Sequence, residues 1–83
     1  MKEIRVLGIH VENRVAEAGE IQGILSRYGC SIKTRIGLHE ASEDNCSTDG
    51  LIILELAGNT ADWDALEKDL RAAKGTKVQK MSF

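Results

Sequence analysis

His39 and Cys46 carry the side chains best suited to transition-metal chemistry in this sequence, with His10 a more distant third. Imidazole and thiolate suit zinc, nickel or copper, and ligands from a second chain could complete a shell between subunits. The spacing His39-x6-Cys46 matches no paired C-x-x-C unit. The plainer reading is an exposed histidine at a strand end and a loop cysteine with no task. Glu12-Asn13-Arg14 forms the second candidate group, at a strand-to-helix junction. A helix N-terminus offers unpaired amides and partial positive charge, and Arg14 adds a donor fork, so a carboxylate or phosphate could dock there. Its plainer reading is a helix cap beside a solvated arginine. Arg35 and Lys33 add charge if a partner chain brings them near, and Gly37 marks a close ligand approach or a local kink. We find no nucleophile–base pair, phosphate loop or convergent carboxylate pair, so catalysis is not expected. The acidic stretch Glu40–Asp49 lacks the ordered ligand spacing of a calcium loop and reads as a solvated loop.

The elements that must position these residues follow from hydrophobic periodicity. Residues 3–12 are rich in branched side chains and read as a strand, with Leu7, Ile9 and Val11 on one face and Ile4 and Val6 on the other. Ala18, Ile21, Leu25 and Tyr28 recur at helical spacing, predicting a helix over 14–28 capped by Asn13 and closed by Gly29. Gly19 and Gly23 weaken that helix, and close packing against a strand would compensate. Residues 30–39 alternate, so Cys30, Ile32, Thr34, Ile36 and Leu38 are expected on one buried face of a second strand, Cys30 as a small buried hydrophobe. The unbroken Leu51–Leu54 run predicts a strand buried on both faces. Gly58, Asn59 and Thr60 read as a turn and cap. Trp63, Leu66, Leu70 and Ala73 then give a second amphipathic helix with Trp63 in the core, and residues 76–83 read as an edge strand. Lys74, Lys77 and Lys80 near that edge guard it against unwanted pairing.

The order is β-α-β-β-α-β, an α+β, ferredoxin-like sandwich of four antiparallel strands with both helices on one face. Eighty-three residues allow one domain, 1–83. The uncovered face would be an exposed patch of Ile, Leu and Val, and a second copy of the chain covers it most simply, as a homodimer or homotetramer. Eleven Lys+Arg against 13 Asp+Glu leave a net charge of −2, without a basic arm or helix-turn-helix, so no direct nucleic-acid binding is expected. No apolar run approaches the roughly 18 residues of a membrane span. With two cysteines and no secretory pattern, a reduced cytoplasm is expected.

The strings VLGIHVENR at 6–14, ILSRYG at 24–29, IKTRIGLHE at 32–40, GLIILEL at 50–56 and the closing GTKVQKMSF resemble the iron-only hydrogenase system regulators. These are small ACT-like proteins of anaerobic bacteria. The resemblance implies a ferredoxin-like domain, self-association, a regulatory role, and an effector loop at Glu12, Asn13 and Arg14. Asp44-Asn45-Cys46 is also similar to part of the metal motif in the effector domain of nickel-responsive repressors, which has the same fold. The chain lacks their DNA-binding arm, and Glu40 falls where that motif has a histidine. Two functions follow as expectations. The first is an effector-binding regulatory module acting through a small ligand or protein partner. The second is a metal-sensing or metal-handling module using His39 and Cys46.

Overall fold

The computed structural model describes residues 3–12, 14–38 and 49–83. Their elements run β1 (Arg5–Val11), α1 (Arg14–Arg27), a 3-10 turn at Gly29–Ser31, β2 (Ile32–Leu38), β3 (Gly50–Leu56), α2 (Thr60–Ala72) and β4 (Thr76–Ser82). The strands form one sheet in the order β2-β3-β1-β4, antiparallel throughout, so β1 and β3 are central. This is the expected ferredoxin-like sandwich. Its core joins Leu7, Ile9, Val11, Leu54, Leu56 and Val78 of the sheet to Ile21, Ile24 and Leu25 of α1 and Trp63, Leu66 and Leu70 of α2. Both helices therefore cover the same sheet face.

Helix α2 is fixed at both ends by its sequence. The Asn59 side chain accepts from the Asp62 amide at 2.9 Å, capping the N-terminus. Gly58 and Gly75 take left-handed backbone conformations, at φ 91° and 74°, on either side of the helix. The Thr76 hydroxyl meets the Leu70 and Ala73 carbonyls, each at 2.8 Å, satisfying acceptors of the last turn. Trp63 is core as expected, and its indole N–H donates to the Ala57 carbonyl at 2.7 Å. Asn13, the expected cap of α1, lies outside the described residues.

Four expectations need correction. Gly29 does not close α1 in a left-handed conformation, because the chain tightens there into the 3-10 turn. Cys30 sits in that turn and is exposed rather than buried, since β2 begins only at Ile32. Gly19 and Gly23 are not packed against a strand: they are exposed along an open groove between α1 and α2, and a Cβ at either would meet nothing within 4 Å. Most consequentially, β2 carries a bulge. Ile32 pairs with Leu56 but Thr34 pairs with Glu55, so two steps along β2 match one along β3. Opposed residues of an antiparallel ladder share a face. Ile32 therefore lies on the helix side with Leu56. Beyond the bulge Arg35 and Gly37 share the helix side with Leu54 and Ile52, while Thr34 and Ile36 lie on the open side with Glu55 and Ile53.

Candidate functional site

At the β1–α1 junction, β1 ends at Val11 and α1 begins at Arg14. The Glu12 amide donates to the Gly75 carbonyl at 2.9 Å, which fixes the exit of β1 against the turn before β4. Glu12 itself is exposed. Arg14 is the first residue of α1, so its backbone belongs to the turn whose amides lack intrahelical partners. Gly37 aligns across the sheet with Ile52 and then Ile9, which puts it about 14 Å from Glu12 at standard strand spacings. Arg35 aligns with Leu54 and Leu7, about 19 Å from Glu12. Gly37 thus approaches the junction's end of the sheet, whereas Arg35 stays near mid-strand, exposed at the outer edge. One chain does not assemble all the candidate anion-binding residues around one ligand.

The metal candidates fare differently. His39 and Cys46 lie outside the described residues. His10 lies on the open face of β1, where its Nε2 is 3.3 Å from Asp49 Oδ2. Among the described residues no three His, Cys, Asp or Glu side chains cluster as a metal would need.

The open sheet face is the feature the fold displays most clearly. Cross-strand pairing places Val6, Gly8 and His10 of β1 opposite Glu55, Ile53 and Leu51 of β3, and opposite Met81, Gln79 and Lys77 of β4. Ile4 and Phe83 extend the β1–β4 ladder through reciprocal backbone hydrogen bonds of 3.0 and 2.8 Å. The exposed large hydrophobics among the described residues are Ile4 (50%), Ile36 (49%), Leu51 (38%), Met81 (56%) and Phe83 (73%). All five belong to this face or to its extension past β1 and β4. The expected two-sided burial of β3 therefore holds only on the helix side.

Two polar clusters secure the opposite, covered face. Arg5, almost fully buried, lies 2.7 Å from Asp64 Oδ1 and 3.1 Å from Glu3 Oε2, with its guanidinium 5.3 Å from the Trp63 ring centroid. The hydrogen bond to Asp64, opposed by burial and aided by Glu3, holds its pKa above the ordinary arginine value. Glu67 is bracketed by Arg71 at 3.0 Å, Lys80 at 3.5 Å and Arg5 at 3.8 Å. Across the helices, the Tyr28 hydroxyl donates to Asp69 at 2.7 Å. This bond, followed by burial, raises the phenol's pKa. These contacts hold α2 to β1, β4 and α1. The sequence reading missed Arg5, whose only signal was a basic residue at an inward position of a core strand.

No protein-family model and no curated protein matches this chain. Solved structures share its fold. The uncharacterized protein TM1266 from Thermotoga maritima is 22% identical with a TM-score of 0.81, covering 99% of both chains. The ACT domain of GTP pyrophosphokinase from Chlorobium tepidum is 20% identical with a TM-score of 0.69, covering 94% of this chain and 96% of that one. CPII, a nitrogen regulatory PII-like protein from Thiomonas intermedia K12 solved with ADP, AMP and bicarbonate, is 16% identical with a TM-score of 0.60 over 99% and 93%. At such identities the likeness establishes the ferredoxin-like fold shared with ACT and PII-like proteins. No helix among the described residues is long and apolar enough to cross a membrane.

Proposed function

We propose that this chain is a non-catalytic regulatory module that self-associates through its open sheet face and binds a small anionic effector at the β1–α1 junction. The observation that carries the reading is the gathering of Ile4, Ile36, Leu51, Met81 and Phe83 on the sheet face without helices. Large apolar patches on soluble proteins mark interaction surfaces, and burying them removes apolar area from water. Effector binding is supported by the first-turn amides of α1, which have no intrahelical partners, by Arg14, and by a fold shared with an ACT domain and with a protein solved with ADP, AMP and bicarbonate. Glu12, Asn13, Arg14 and Gly37 are the residues we assign to that site, with Arg35 supplied by a neighbouring subunit. The finer assignment, to iron-only hydrogenase regulation, rests on the resemblance of residues 6–14, 24–29, 32–40 and 50–56.

Native mass spectrometry on protein purified without added metal or chelator tests this directly. A dimer or tetramer, with nucleotide or another anion retained by the wild type and lost from Arg14→Ala, supports the module. A bound metal lost from Cys46→Ala would favour metal handling through His39 and Cys46 instead. A bare monomer overturns self-association.

A further inference from the structure

The pattern of the open face goes further than its apolarity. With β2 at the left and β4 at the right, Leu51, Ile53 and Ile36 occupy the left half, toward the end of β1 that carries Val11. Val6, Met81, Ile4 and Phe83 occupy the right half toward the other end. Together they form an apolar diagonal with Gly8 and Ile53 near its middle. The two remaining corners are polar, and each holds charges of both signs. One holds Lys77, Gln79 and the His10–Asp49 pair. The other holds Glu55, which accepts from the Thr34 hydroxyl at 3.1 Å and lies 3.8 Å from Lys33. Lys77 is exposed and has no ion-pair partner among the described residues.

We propose that a second copy of this chain docks on the open face about a two-fold axis running along the apolar diagonal, so that Lys77 meets Glu55 of the partner subunit. This rests on the reading that copies associate through that face, and adds the symmetry and the recognition pair. A two-fold axis in the plane of the interface carries each point to its mirror position across the axis. An axis along the strands, or across them, lays the apolar half of β2–β3 on a polar corner. An axis along the polar diagonal matches apolar to apolar but sets Lys77 on Lys77 and Glu55 on Glu55. Only the apolar diagonal matches apolar surface while setting Lys77 beside Glu55 rather than each beside its own copy, and like charges facing each other are what specific interfaces avoid. That axis lies about 45° from the strands, so the two sheets cross near 90°, one of the two favoured angles for packed sheets. At standard spacings the face measures about 19 by 23 Å, on the order of 450 Å² in projection. Being nearly square, it overlaps its rotated copy almost fully, and two copies approach the ~1,000 Å² that specific interfaces exceed.

Charge reversal with rescue decides it. Lys77→Glu and Glu55→Lys should each weaken dimerisation about tenfold or more, since each sets like charges together at both copies of the pair. Mixing the two variants, one labelled with ¹⁵N for native mass spectrometry, should restore a heterodimer about as tight as the wild type. In that heterodimer one copy of the pair joins the two native side chains that remain, and the other joins an introduced acid to an introduced base. The doubly substituted chain should recover as a homodimer. Circular dichroism confirms that each variant is folded. If the single variants bind as the wild type does, or their mixture gives only statistical pairing while Met81→Glu still breaks the dimer, the axis is wrong and the sheet-face reading stands. If Met81→Glu also leaves the dimer intact, or if the wild type is a folded monomer, that reading falls with it.

Discussion

Tyr28 is the only tyrosine in the chain, so its ionisation can be read in isolation. Its hydrogen bond to Asp69 favours the neutral phenol and raises its pKa above the ordinary 10.0. A phenol held protonated in the fold contributes stability that is fully present below its unfolded pKa and is lost as pH rises through the folded one. Wild-type stability should therefore fall more steeply above about pH 10 than that of Tyr28→Phe, with phenolate absorbance tracking the loss. Equal slopes would remove the Tyr28–Asp69 bond from the fold's stability. Asn59 gives a second test, because Asn59→Ala removes the cap of α2 and should cost about 1 kcal/mol in urea unfolding. The turn and cap at Gly58, Asn59 and Thr60 and the core position of Trp63 were legible because each follows from local spacing. The His10–Asp49 contact was not, since it joins β1 to the residue before β3 through the sheet pairing.

At the scale of elements, the strand and helix order was legible because the apolar period changes between two and about 3.6 at each junction. The bulge in β2 was not. Ile32, Thr34 and Ile36 alternate in type whether or not an extra residue interrupts the ladder, so the sequence pattern is blind to the flip that sends Thr34 and Ile36 to the open face. Cys30 departs from the alternating pattern for a related reason: the 3-10 turn interrupts the strand period before Ile32. The α1 glycines make a sharper test of local physics. Gly19 and Gly23 have open space where a Cβ would sit, so Gly19→Ala and Gly23→Ala should each stabilise the fold by about 0.5–1 kcal/mol. A loss of stability in either variant would mean that the groove between α1 and α2 is filled in solution.

For the whole molecule, the sheet-face arithmetic was legible before the structure: helices on one side of a sheet leave the other uncovered. The structure adds the residues, their diagonal layout, and the charged corners beside it. The proposed effector site was less legible because Arg35 and Glu12 share a chain but not an end of the sheet, so the candidate residues meet only if subunits combine. Self-association is thus the claim on which the regulatory reading depends. Native mass spectrometry of the wild type beside Met81→Glu tests it most directly. A wild-type dimer or tetramer and a folded Met81→Glu monomer are the expected result; a wild-type monomer, or a Met81→Glu oligomer as stable as the wild type, would contradict it.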